Sequence, residues 1–151
     1  MTPAFTFARV GEADFEALLA LRIATLRDSL ERLGRFDPLR ARERFRSTFR
    51  PHDTRRIWVG DTAAGCVATW AEGDAVRLEH FYIAAAFQGR GLGSAVIERL
   101  LHEPAHAGRR FLVGALRGSD ANRFYARHSF VLKAESEWDR AYERPASGSA
   151  G

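Results

Sequence analysis

The segment Gln88-Gly89-Arg90-Gly91-Leu92-Gly93-Ser94 is the part of the chain with the clearest chemical meaning. Glycines let a backbone turn so that several N–H groups converge on one point, which suits phosphate oxygens. The residues that follow read as a helix, whose unpaired N–H groups and positive dipole end add to that attraction. Arg90 adds a cation, so a pyrophosphate fits the segment. Two other phosphate loops are excluded. No Gly-Lys-Ser/Thr ending follows, as an ATP-type loop requires. The glycines also run one residue short of the dinucleotide fingerprint, and the preceding strand lies in the middle of the chain. Alone, the loop is a weak signal, and a tight strand-to-helix turn that binds nothing would be the preferred reading.

Upstream, the strand leading into the loop carries Glu79 and His80. Period-two alternation puts Glu79 on one face with Phe81 and Ile83, and His80 on the other with Leu78 and Tyr82. A carboxylate in an otherwise apolar strand has a raised pKa, as a general base requires. An ion pair with an arginine from a neighbouring element explains Glu79 equally well. The imidazole of His80 titrates near neutral pH, and a hydrogen-bonded core histidine is its alternative. Trp58, Trp70 and Trp138 read as packing residues of strands.

The elements that position these residues can be read from pattern and punctuation. Phe5-Thr6-Phe7 alternates as a strand. A helix starting near Ala13 puts Phe15, Leu18, Leu19, Leu26, Leu30 and Leu33 on one face and stops at Gly34. Asp37-Pro38 reads as an N-cap followed by proline at the first helical position, opening a second helix toward Phe49. Three strands at hairpin spacing follow: Ile57 to Val59, Cys66 to Trp70 and Val76 to Ile83, with Asp61 to Gly65 as the first turn. A helix from Gly91 to His102, a strand from Phe111 to Leu116, a short helix from Ala121 to His128 and closing strands at Phe130 to Lys133 and Glu137 to Tyr142 complete the order. The expected fold class is α/β, a mixed layered architecture.

The 151 residues suit one domain, expected over 1–144, with a loose, breaker-rich tail over 145–151. Cys66 is the one cysteine, which excludes an intramolecular disulfide and a cysteine-rich zinc site. No run approaches the roughly 20 apolar residues of a membrane span. The first residues lack the basic-then-apolar order of a signal peptide. A soluble, cytoplasmic protein without a metal is expected. The chain has 23 basic and 19 acidic residues, a net charge of +4, and Lys133 is the one lysine. The densest basic stretch, Arg40 to Arg56, is interrupted by Glu43 and Asp53, whereas a nucleic-acid interface calls for a clustered stripe. Nucleic acid is therefore not the expected partner.

At the glycine segment the sequence resembles the GNAT superfamily of N-acetyltransferases. Their acetyl-CoA motif appears here as Gln88-x-x-Gly91-x-Gly93 at a strand-to-helix junction. Their downstream helix motif appears across Ser119-Asp120-Ala121-Asn122-Arg123-Phe124-Tyr125 and on to Phe130, with Ala121, Phe124, Tyr125 and Phe130 in the expected places. Three positions depart from the pattern. Ala84 to Phe87 lacks the usual proline, Ser119 stands in the place of the usual asparagine with Asn122 one turn on, and Ser129 replaces a glycine.

The resemblance implies a mostly antiparallel sheet of about seven strands flanked by about four helices. It also implies direct transfer of an acetyl group from acetyl-CoA, as co-substrate, to a primary amine of a small molecule or peptide. By the same resemblance, the backbone of Gln88, Gly89, Arg90, Gly91, Leu92, Gly93 and Ser94 holds the pyrophosphate. Phe81, Tyr82 and Ile83 bind the pantetheine arm as an added strand, the N–H of Ile83 faces the thioester, and Ser119 or Asn122 makes a further cofactor contact. Tyr125 is the expected general acid, a phenol protonated at neutral pH, with a core aromatic as its alternative. Glu79, or His80 as second choice, is the expected base. Acceptor recognition is expected in the two N-terminal helices and their link, where Arg22, Arg27, Ser29, Arg35, Phe36 and Asp37 lie. Exposed strand edges allow a homodimer. A catalytically silent acyl-CoA-binding module and a basic nucleic-acid-associated protein are the competing readings.

Overall fold

A computed structural model describes residues 2–147. Its seven strands are β1 (Thr6–Arg9), β2 (Thr54–Val59), β3 (Thr62–Glu72), β4 (Ala75–Ile83), β5 (Phe111–Leu116), β6 (Val131–Glu135) and β7 (Asp139–Arg144). The four α-helices are α1 (Phe15–Arg32), α2 (Pro38–Thr48), α3 (Leu92–His102) and α4 (Ala121–Arg127). Backbone hydrogen bonds set the strand order β1-β2-β3-β4-β5-β7-β6. The β4–β5 pair is parallel, and the ladders of β1 with β2, β2 with β3, β5 with β7 and β6 with β7 are antiparallel. The fold is thus the mixed α/β class read from the sequence. The chain divides into two compact units, 1–68 with 80–93 and 69–79 with 94–151, and each is described by itself.

In the first unit, α1 ends as its sequence dictates. Gly34 takes a left-handed φ of 69°, and the N–H groups of Gly34 and Arg35 return to the carbonyls of Glu31 and Leu30. This closure satisfies the last carbonyls of a helix. Asp37 caps α2, its carboxylate accepting from the N–H groups of Leu39 and Arg40, with Pro38 at the first helical position where no N–H is missed. Phe15, Leu18 and Leu19 of α1, Phe45 of α2, Cys66 of β3 and Tyr82 of β4 form a buried cluster. Phe15 and Phe45 stack with ring centroids 5.3 Å apart. Burial pushes the Cys66 thiol up to about 12, so the single cysteine is an inert core group.

The β2–β3 turn corrects the expected boundaries. It is Gly60 and Asp61, and β3 starts at Thr62 rather than Cys66. Gly65 lies inside that strand, paired with Ile57 where the register shifts. A Cβ at Gly65 would overlap the Tyr82 carbonyl oxygen, so the glycine marks a close backbone approach and not a turn. β2 also starts earlier, at Thr54. The guanidinium groups of Arg55 and Arg56 lie over the rings of Phe7 and Trp58, 4.4 and 5.4 Å from the centroids.

In the second unit, the β4–β5 ladder comprises Val76↔Phe111 and Arg77↔Leu112, whereas β5 pairs with β7 over all six of its residues. The helix α4 closes on a left-handed residue, Ser129, at φ 71°. The N–H groups of Ser129 and Phe130 return to the carbonyls of Ala126 and Tyr125, and the rings of Tyr125 and Phe130 lie 5.3 Å apart. This is the closure seen at Gly34, with serine where glycine is favoured. The final strand starts at Asp139 rather than Glu137, because Ser136 and Asp139 bond each other across a turn. Of the expected tail, Ser147 donates its N–H to Gly108, and 148–151 lie outside the described residues.

Candidate active site

The strand β4 holds its alternation to the end. Val76, Leu78, His80 and Tyr82 are buried, while Arg77, Glu79, Phe81 and Ile83 are half-buried. The face assignment made from the sequence for Glu79 and His80 therefore stands. His80 departs from strand geometry in one respect, a left-handed φ of 48°, a conformation that costs a non-glycine residue roughly 1–2 kcal/mol.

That residue anchors a polar chain in the first unit. The Nε2 atom of His80 lies 3.3 Å from the Thr48 carbonyl and Nδ1 lies 3.2 Å from the Tyr82 hydroxyl. A carbonyl only accepts, so Nε2 carries the proton and Nδ1 accepts from Tyr82. The Tyr82 oxygen in turn accepts from Arg22 Nε at 3.2 Å, and Arg22 Nη1 donates to the Ala41 carbonyl at 3.4 Å. Burial first, and the Arg22 charge after it, lower the His80 pKa to about 4 against the upward pull of the Thr48 carbonyl. His80 is therefore neutral near pH 7, with its lone pair already engaged.

Where β4 ends, a short 3-10 turn (Ala85–Phe87) leads into the glycine segment. The Gln88 side chain folds back and donates Nε2–H to the Ile83 carbonyl at 2.8 Å, fixing the loop to the strand terminus. Gly89 and Gly91 take left-handed φ values of 76° and 80°, and a Cβ on Gly91 would sit 2.9 Å from Thr2 Oγ1. Arg90 is exposed, its guanidinium 5.7 Å from the Phe87 ring centroid. Leu92 and Gly93 then open α3, whose first N–H groups have no partner within the helix.

In the second unit, Ser94 Oγ lies 3.0 Å from His128 Nε2, a contact the sequence did not reveal because 34 positions separate the two. His128 Nδ1 lies 3.8 Å from Glu98 Oε1, and burial lowers the His128 pKa. Glu79 sits half-buried on β4. Tyr125 is 5% exposed, with the rings of Phe124, Phe130 and Tyr142 at centroid distances of 5.4, 5.3 and 6.3 Å.

Ser119 and Asn122 serve the turn between β5 and α4. Ser119 Oγ donates to the Leu116 carbonyl. Asn122 Nδ2 bonds the carbonyls of Leu116 and Ser119, and Asn122 Oδ1 accepts from the Tyr142 hydroxyl at 2.7 Å. Donors and acceptor of the Asn122 amide are thus engaged internally. Among the described residues no group of three His, Cys, Asp or Glu side chains could hold a metal ion. No helix among them is long and apolar enough to cross a membrane.

A sequence profile described as "Acetyltransferase (GNAT) domain" matches residues 53–132, more than half of the chain and inclusive of β4, the glycine segment and α4. The chain therefore belongs to the GNAT acetyltransferase family. No curated protein sequence matches it significantly. Solved structures share its fold. An acetyltransferase from Thermus thermophilus is 18% identical with a TM-score of 0.73, over 96% of this chain and 97% of that one. The PaiA N-acetyltransferase of Thermoplasma acidophilum, in complex with coenzyme A, is 12% identical with a TM-score of 0.68, over 94% and 99%. The N-acetylglutamate synthase of Neisseria gonorrhoeae, complexed with coenzyme A and L-arginine, is 15% identical with a TM-score of 0.65, over 97% of this chain and 34% of that one.

Proposed function

We propose that the protein is an acetyl-CoA-dependent N-acetyltransferase that moves an acetyl group directly to a primary amine of a small molecule or peptide, with residues 1–144 as the acetyltransferase domain. The observation that carries the reading is the segment from Ile83 to α3: a strand end tied to its loop by Gln88, two left-handed glycines and an exposed arginine before a helix start. Backbone N–H groups from Gln88 to Ser94 bind the pyrophosphate there, and Arg90 adds charge. The two-pair limit of the β4–β5 ladder supports a role for Phe81, Tyr82 and Ile83 as the strand to which the pantetheine arm adds. Acetyl-CoA supplies the acyl group as a thioester.

This chain's residues do the rest. The Ile83 N–H polarises the thioester carbonyl. Glu79 takes the amine proton, directly or through water, since the His80 lone pair is held by Tyr82. Tyr125 delivers its hydroxyl proton to the departing sulfur. The side chains of Ser119 and Asn122 position α4 through the turn. The burial of Tyr125 favours one second reading, a silent acyl-CoA-binding module in which that ring is core. Tyr125→Phe separates the two. With a single acceptor, the variant should lose about 10²–10⁴-fold in kcat at unchanged acetyl-CoA affinity, and Glu79→Gln should flatten the acidic limb of the pH–rate profile. Full activity in both variants would remove these residues from the chemistry.

A further inference from the structure

The half-buried Arg22 of α1 differs from several other arginines of the first unit. In the first unit, Arg42 pairs with Glu16, Arg46 with Glu12, Arg27 with Glu31 and Arg56 with Asp14. Arg22 instead bonds two neutral oxygens, the Tyr82 hydroxyl and the Ala41 carbonyl, and no carboxylate among the described residues pairs with it. A guanidinium offers five N–H donors, so three are left over. Drawing a cation partly out of water without a counter-charge is unfavourable.

The arrangement is also rigid. Nε and Nη1 are held, the Tyr82 hydroxyl is committed as a donor to His80, and His80 is committed to Thr48. A fork held in place loses little freedom on meeting a ligand. We propose that Arg22 is the anion-binding residue of the acceptor site and that the acceptor is an amine bearing a carboxylate, an amino-acid-like molecule; this rests on the acetyl-transfer reading above. The planar two-oxygen shape of a carboxylate matches the fork. Its single negative charge balances the one positive charge of Arg22. A phosphate dianion would call for a second cation, and the guanidinium groups of Arg42 and Arg46 are held by their own acids.

The test uses matched acceptor pairs, an α-amino acid and its α-carboxamide with the same side chain. Acetyl transfer is measured for the parent, Arg22→Gln and Arg22→Lys, with the kcat/KM ratio of acid to amide as the readout. That ratio is internal to each protein, so a general loss of stability leaves it unmoved. The parent should prefer the acid by roughly tenfold or more, the scale of one charge-assisted contact. Arg22→Gln should bring the ratio toward one, and Arg22→Lys should fall between. Equal use of acid and amide by the parent overturns the proposal, as does a ratio that Arg22→Gln leaves unchanged. Calorimetric titration of the same pairs, without acetyl-CoA, separates this proposal from the acetyl-transfer reading. If no acceptor is acetylated, that reading fails, and the binding data alone decide. Acid binding that weakens in Arg22→Gln sustains the anion site, and its absence removes it.

Discussion

Mild acid should weaken the protein through His80. The residue is 7% exposed, and burial holds its imidazole down to about 4 against an ordinary 6.5. In the unfolded chain it takes up a proton as the pH falls through 6.5; in the folded chain it stays neutral until about 4. The unfolded state therefore binds more protons across that window, and stability falls with pH by about 1.4 kcal/mol per unit. The full loss is about 3 kcal/mol, a large share of the 5–15 kcal/mol typical of a domain. Hydrogen bonds from Arg42 and Arg110 hold the Glu16 and Asp74 carboxyls below their ordinary 4.5 and 3.8, so their contributions begin to be lost only near the acid end of this window and enter the slopes of parent and variant alike. His128 is also lowered and adds to the parent slope, which makes a variant essential. His80→Asn removes the titration and keeps a residue that tolerates the left-handed φ. Urea unfolding followed by circular dichroism at steps from about pH 7.5 to 4.5 gives both slopes. The parent should lose about 2–3 kcal/mol between pH 6.5 and 4.5. The variant should start less stable, without the Tyr82 and Thr48 bonds, and lose markedly less. Equal slopes would refute the argument.

Two further predictions concern glycine positions. Gly91→Val puts a β-branched side chain at φ 80° beside Thr2 Oγ1; coenzyme A affinity should fall at least about tenfold by calorimetry, and unchanged affinity would dissociate the loop from the cofactor. Ser129→Gly relieves a left-handed residue at the end of α4; a net gain of about 0.5–1 kcal/mol should raise Tm by roughly 2–3 °C, and a lower Tm would contradict the strain.

Much of this fold was legible because single residues carry unambiguous local instructions. Gly34, Asp37 and Pro38 fixed the α1–α2 junction, and alternation along β4 assigned Glu79 and His80 to opposite faces. The boundaries that moved did so for tertiary reasons. The Ala63-Ala64-Gly65 run reads as a turn, but Gly65 answers the close approach of the Tyr82 carbonyl. Arg55 and Arg56 read as loop until their guanidinium groups are seen over Phe7 and Trp58. The candidate site divides the same way. The glycine segment is a local signal, and its left-handed glycines were legible from residue type alone. The chain from Arg22 through Tyr82 to His80, and the Ser94–His128 contact, join residues 60 and 34 positions apart, beyond the reach of any periodicity. Asn122 was expected at the cofactor through the family resemblance; its hydrogen bonds to Leu116, Ser119 and Tyr142 join residues that no periodicity connects.

The central claim is that acetyl moves from acetyl-CoA to an amine on this protein. The most direct measurement follows free-thiol release from acetyl-CoA together with the N-acetylated product, across amino acids, polyamines, aminoglycosides, peptides and simple amines, with acceptor-free reactions alongside. Thiol release should depend on a particular class of acceptor and match product one to one, with only slow release when no acceptor is present. Tight acetyl-CoA binding with no acceptor-dependent release across the panel would contradict it and leave a binding module in its place.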